Sequence, residues 1–159
     1  MAMTAPSITV VNTADETVTQ WDAGVVQQNR SSSILTIQIW NNRRGETALS
    51  DLKEANITAL DTNGTATSDI IVQKWVGAKV PAIDGSAADF TQIGGAYVKM
   101  LRADGLSEED GYTISGAAND GSTVNAKNNY CTVNLRVNVP LNAKGGIYDF
   151  KMKINGYYT

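Results

Sequence analysis

Histidine is missing from this chain of 159 residues, cysteine occurs once and proline three times. Each shortage excludes something. Without histidine the commonest general base and the commonest metal-binding side chain are both gone, so a Ser-His-Asp or Cys-His hydrolase site cannot be assembled. With Cys131 alone, no disulfide can close within the chain, and stability has to come from packing. Cys131 falls in the apolar phase of its segment with no base to activate it, so it reads as a small buried hydrophobe. No stretch approaches the run of about eighteen apolar residues that a membrane-spanning helix needs. Basic residues are scarce too: 13 Lys and Arg stand against 16 Asp and Glu, the net charge is -3, and Arg43-Arg44 is the one adjacent basic pair. Neither a nucleic-acid nor a membrane partner is expected from that balance, since phosphate binding needs a local excess of cations. The opening residues, Met1 to Pro6, do not combine a basic region with an apolar one, so the expectation is a protein made and folded in a cytoplasm.

What is present points to strands. Hydrophobic residues make up 42% and charged ones 18%, and Thr, Asn, Gly and Val are abundant. The length suits one domain over residues 1–159, large enough to bury about two-thirds of its unfolded surface. The clearest pattern lies in residues 130–159. Cys131, Val133, Leu135, Val137 and Val139 alternate with Thr132, Asn134, Arg136 and Asn138, and after a turn at residues 140–146 a second run alternates through Tyr148, Phe150, Met152 and Ile154. Two amphipathic strands so close together predict an antiparallel hairpin whose apolar face needs a second sheet to cover it. Val133, Leu135, Val137, Tyr148, Phe150 and Met152 are expected to be buried, with residues 33–41 facing them across the core.

Further strands are expected at residues 7–11, 17–21, 33–41, 56–60, 70–80 and 97–101, with a shorter one at 112–114. Residues 82–129 read as a long loop-rich insertion, crowded with the turn formers Asp104-Gly105, Gly111, Asn119-Asp120-Gly121 and Asn128-Asn129. Short alternating strands between many turns, with no sustained helical period, predict an all-β antiparallel sandwich.

Nothing in the pattern assembles a catalytic residue, a cofactor site or a metal site. Glu108, Glu109 and Asp110 cluster, but between glycines in what reads as a solvated loop. Asp61-Thr62-Asn63-Gly64 begins like a calcium loop, yet Val72 stands where its closing glutamate belongs. Gly94-Gly95 and Gly145-Gly146 lack the lysine and spacing of a phosphate loop and read as bends. The aromatic residues carry more. Trp40 and Trp75 fall in the polar phase of their expected strands, so each is either covered by residues 82–129 or turned toward a partner. In the second case Trp40, Trp75, Arg43, Arg44, Tyr157 and Tyr158 form a candidate protein interface. The same tryptophans, with nearby Asn and Gln, could instead stack on sugars.

Two segments resemble known proteins. Residues 135–154, which pass from Val137-Asn138-Val139-Pro140 through Ala143-Lys144-Gly145-Gly146 to Tyr148-Asp149-Phe150, resemble the closing hairpin of bacterial and phage immunoglobulin-like domains. Asp22-Ala23-Gly24-Val25, the polar loop to Ser33 and the strand ending in Trp40-Asn41-Asn42 resemble the opening of such sandwiches. Together with Ser50-Asp51-Leu52 that strand is similar to small virion structural proteins of tailed phages that infect Gram-positive bacteria. The resemblance implies an immunoglobulin-like sandwich and a non-enzymatic capsid decoration or accessory protein, made in the host cytoplasm and resident in the virion. Its implied partners are other virion proteins, the major capsid protein first, and further copies of itself. The alternative is a carbohydrate-binding or adhesion module, associated with a phage tail or a cell surface, whose partner would be a glycan.

Overall fold

The structure, a computed structural model, describes residues 4–159. Its strands in chain order are β1 (Ile8–Asn12), β2 (Arg30–Ser31), β3 (Leu35–Asn41), β4 (Lys53–Leu60), β5 (Val76–Lys79), β6 (Thr91–Ile93), β7 (Lys99–Met100), β8 (Tyr130–Val139) and β9 (Lys151–Tyr157). Two single-turn helices, α1 (Asp69–Val72) and α2 (Pro81–Asp84), flank β5. The fold is all-β. A six-stranded antiparallel sheet runs in the order β1-β3-β8-β5-β6, with β2 also on β8, and a three-stranded antiparallel sheet runs β7-β4-β9. One apolar cluster joins the two sheets: Ile37 and Ile39 of β3, Val133 and Leu135 of β8 and Val76 of β5 pack with Ala55, Ile57 and Ala59 of β4.

The ten-residue β8 organises the larger sheet. From Cys131 onward its residues alternate between buried and half-buried, and Val133, Leu135 and Val137 are buried as the period of two requires. β3 lies on one edge in the register Leu35↔Leu135, Ile37↔Val133 and Ile39↔Cys131, and β5 on the other with Val76↔Val137 and Ala78↔Leu135. That arrangement corrects the expected hairpin. Both edges of β8 already hold a neighbour, so β9 cannot pair with it. Residues 140–150 instead carry the chain across the core to the smaller sheet, where β9 pairs with β4. Residues 33–41 accordingly lie beside β8 and not opposite it. Tyr148, Phe150 and Met152 are only half-buried, because they border an incompletely covered part of the core.

Three further expectations change. Residues 112–114 form no strand, and Ile114 makes only one isolated bridge, to Leu52. Residues 17–21 form no strand; Thr17 makes one isolated bridge to Val11 and the chain then leaves the sheet. Residues 70–80 are not one strand either. Ile70 and Ile71 are adjacent and both buried, which a flat alternating strand cannot do at a single-faced site, and a helical turn achieves it. The turn ends at Lys74 in the left-handed region (φ 53°), and only then does β5 begin.

The segment expected as a loop-rich insertion contributes α2, β6 and β7; Lys99 of β7 pairs with Asp84 of α2 at 2.9 Å and donates to the Thr91 hydroxyl of β6 at 3.2 Å. Its remainder is pinned by buried asparagines. Asn41 Nδ2 donates to the carbonyls of Ser50 (3.0 Å) and Ile114 (3.2 Å), and its Oδ1 accepts from the Ser7 backbone N–H (3.0 Å). Asn42 Nδ2 donates to Thr47 O and Gly116 O, both at 2.8 Å. Asn129 Nδ2 reaches Ser115 O (2.9 Å) and Ala117 O (2.8 Å). These side chains supply the partners that an irregular buried backbone cannot find in a ladder.

Candidate functional site

The site is an open cleft of about 1370 Å³ between the two sheets. One wall comes from the larger sheet: Val10 of β1, Leu35 and Ile37 of β3, and Leu135, Val137 and Val139 of β8. The other comes from Ile57 of β4 and from Met152 and Ile154 of β9. Two irregular straps, residues 18–28 and 143–150, complete it.

The straps are held mainly at their ends. Val18 N–H donates to Val10 O (2.9 Å), Asn29 N–H to Val139 O (2.8 Å), and Gln28 Nε2 to Ala143 O (2.6 Å), which links one strap to the other. Four aromatic rings line the cleft beside the straps. Trp21 meets Phe150 edge to face with centroids 5.5 Å apart, and Trp75 meets Tyr148 at 4.7 Å. Val25 and Ile147, one on each strap, are fully or almost fully exposed. The cleft therefore has an aromatic interior and an apolar mouth, with Gln20, Asp22, Gln27 and Asp149 as polar groups along it.

The residues singled out from the sequence fall in three places. Trp40 is completely buried, on the face of β3 away from the main core, where it packs with Val11, Ala126 and Tyr130; its ring lies 4.7 Å from that of Tyr130. At its Trp40 end β3 is covered on both faces, so alternation there does not tell the inward side from the outward one. Ala126 belongs to the 82–129 segment, which here does cover the tryptophan. Trp75 is also buried, at 3% exposure, but against the cleft interior through Tyr148. Neither tryptophan is an outward-facing anchor. Arg43 is mostly enclosed, its guanidinium 5.6 Å from the Trp40 ring and paired with Asp15, while Arg44 is exposed and reaches the same carboxylate at 3.1 Å. Tyr157 and Tyr158 are both substantially exposed at the end of β9. Only Trp75 of these six lines the cleft.

The acidic triplet is a short 3-10 turn, Glu108–Asp110, in which Asp110 Oδ2 accepts from the backbone N–H (2.8 Å) and hydroxyl (3.1 Å) of Ser107. Among the described residues no three His, Cys, Asp or Glu side chains gather as a cation site. Asp61 organises its own loop: its carboxylate accepts from the Ser68 hydroxyl, the Thr67 N–H (2.9 Å) and the Thr65 hydroxyl (2.7 Å), which hold its pKa well below the usual carboxylate range. Burial pushes the Cys131 thiol far above its ordinary pKa, with Asp104 adding to the shift, so the thiolate is suppressed.

The cleft had a signal in the sequence that strand patterns do not weigh. Val25 follows Gly24 and Ile147 follows Gly146, so each is a large apolar residue in a turn-rich polar stretch where no core claims it. No helix of the described residues is long and apolar enough to cross a membrane. Comparison with protein-family models, with curated proteins and with solved structures finds no match to this chain.

Proposed function

We propose that this chain is a non-enzymatic docking protein with an immunoglobulin-like sandwich, acting as a decoration or accessory protein on the capsid of a tailed phage. The observation that carries docking is the mouth of the cleft. Val25 and Ile147 stand in solvent beside an apolar interior that the chain leaves open, and apolar area of that kind gains about 25 cal/mol per Å² when a partner covers it. The virion context rests on the resemblance of residues 22–42, 50–52 and 135–154 to phage structural proteins. The absence of histidine and the use of Asp110 and Asp61 in local turns favour a role without catalysis.

Such a protein works through buried area, at least about 1,000 Å² for a specific contact, and holds particles together by binding the assembled state. The carbohydrate alternative relied on Trp40 and Trp75 as stacking platforms, and their burial weakens it. The test uses particles assembled with this coding sequence deleted. Purified chain should bind them saturably, at a fixed ratio to the major capsid protein, and raise the temperature at which they open. Particles that bind no chain and gain no stability would remove the capsid role.

A further inference from the structure

The smaller sheet is narrower than the sheet it covers. β8, β3 and β1 lie side by side, and Leu135, Leu35, Ile37 and Val10 from these strands all line the cleft. The opposing wall stops at β9, whose one strand neighbour among the described residues is β4. Opposite β3 and β1, where a fourth strand would lie, there is the strap. Between residues 19 and 26 the strap backbone makes one hydrogen bond within the described chain, from Gly24 N–H to Asp22 Oδ1 (2.8 Å), and none to β9. Among the described residues the outer row of β9 backbone N–H and C=O groups is therefore a free template, and it runs along the border of an apolar cleft.

Three features define what fits there. The volume of about 1370 Å³ exceeds the roughly 300–1,000 Å³ of small-molecule pockets, and β9 offers seven residues, or about 23 Å of strand. An extended peptide segment matches both dimensions. A second folded copy joined through its own β9 does not fit. Antiparallel pairing of the two edges would place both larger sheets on the same side, where the overhanging β3 and β1 of each copy would collide. The third feature is charge. Met152 and Ile154 turn toward the cleft, Lys153 stands exposed on the other face and Lys151 is exposed at the rim of the cleft, so a strand added beside β9 sets its outward side chains against Lys153 and passes Lys151 at the rim.

We propose that the cleft takes an extended segment of a partner protein as a fourth strand on β9, with apolar side chains pointing inward and acidic ones outward. This rests on the docking reading above and names the chemistry of its partner. Main-chain hydrogen bonds to β9 supply binding, and the alternation supplies selectivity. The strap moves outward as the strand enters, its anchors at Val18 and Asn29 staying in place.

The probe is a capped seven-residue peptide alternating Glu with Val and Ile, titrated into the full chain. Binding is followed by calorimetry and by the fluorescence of Trp21 and Trp75, both of which line the cleft. Saturable one-to-one binding is expected, weakened at least tenfold when alternate amides on the pairing edge are N-methylated and at least tenfold when Lys replaces Glu. The double variant Lys151→Glu, Lys153→Glu alters exposed side chains only and should reverse that charge preference. No saturable binding of any peptide, or binding indifferent to N-methylation, would overturn the strand mechanism. If the peptides fail while the chain still binds deleted particles, docking survives and strand addition falls. If the peptides bind and the particles do not, strand addition stands and the capsid assignment falls.

Discussion

Replacing Asn42 tests whether side-chain hydrogen bonds, and not a hydrophobic patch, fix residues 114–129 against the larger sheet. Asn42 is buried, holds φ 58° in the left-handed region, and donates through Nδ2 to Thr47 O and Gly116 O at 2.8 Å each. The two carbonyls are not equivalent. Gly116 O also accepts from Leu49 N–H at 2.8 Å and stays paired when the amide is removed, so that loss costs about 1 kcal/mol. Thr47 O has no other partner in the described chain and would be left unpaired, at about 1–3 kcal/mol. Alanine at φ 58° adds about 1–2 kcal/mol of backbone strain that glycine avoids. Asn42→Ala should then lose about 3–6 kcal/mol and Asn42→Gly about 2–4 kcal/mol, measured by urea unfolding with tryptophan fluorescence. With about 2–4 °C per kcal/mol for a chain of this size, the alanine variant should melt roughly 6–24 °C lower. A loss below about 1 kcal/mol for Asn42→Ala, or a glycine variant no more stable than the alanine one, would refute the reasoning.

Leu135 is buried at the centre of β8 with β3 and β5 on either side, so Leu135→Asp removes about 2–5 kcal/mol of packing and places an unpaired carboxylate in the core. That approaches the whole 5–15 kcal/mol stability of a typical domain, and circular dichroism should show no cooperative unfolding transition. Asp61→Asn should destabilise the turn at residues 61–68 by removing a charged acceptor from the Ser68, Thr67 and Thr65 donors. Its folded pKa is depressed, so the contribution of the carboxylate is complete above its unfolded pKa of about 4 and is lost as pH falls toward the folded value. The melting-temperature gap between the parent and Asp61→Asn should thus be full at pH 7 and shrink progressively below pH 4; a gap that widens in acid would contradict the assignment.

Alternation in the sequence locates strands and, where one face is at least partly wet, their inward faces, as it does for β8 and for Leu35 to Ile39 of β3. It does not say which strand is the neighbour. The period of Cys131 to Val139 is the same whether β8 ends a hairpin or sits mid-sheet, and the choice is made by β3 and β5, which are distant in sequence. The pattern also misleads where packing is two-sided. Trp40 is opposite in phase to Ile37 and Ile39 yet fully buried, since Val11, Ala126 and Tyr130 form a second, smaller cluster on that face. At residues 69–72 the adjacent pair Ile70-Ile71 after Ser68-Asp69 was a legible helical signal, outweighed by the strand-like composition that follows it. The cleft was least legible, because it depends on the difference in width between two sheets, a quantity no local window contains.

The placement of the asparagine brace and of the cleft makes the molecule two-ended. Along the β3–β8 pair, Asn41 and Tyr130 mark one end, where Asn41, Asn42 and Asn129 tie residues 114–117 to the sheet. Leu35 and Val139 mark the other, about 20 Å away along β3, where the straps hang from a few terminal hydrogen bonds around the open cleft. Stability in such a fold is not uniform: segments with few internal hydrogen bonds and exposed apolar side chains open at low free energy, while a braced end opens only with the whole core. A strand entering beside β9 meets the weakly held straps and leaves the asparagine end untouched, so binding at one end need not loosen the other. Val25 and Ile147, both almost fully exposed, lie on the weakly held straps, so covering them is the contribution that a strand bound as proposed would add at that end.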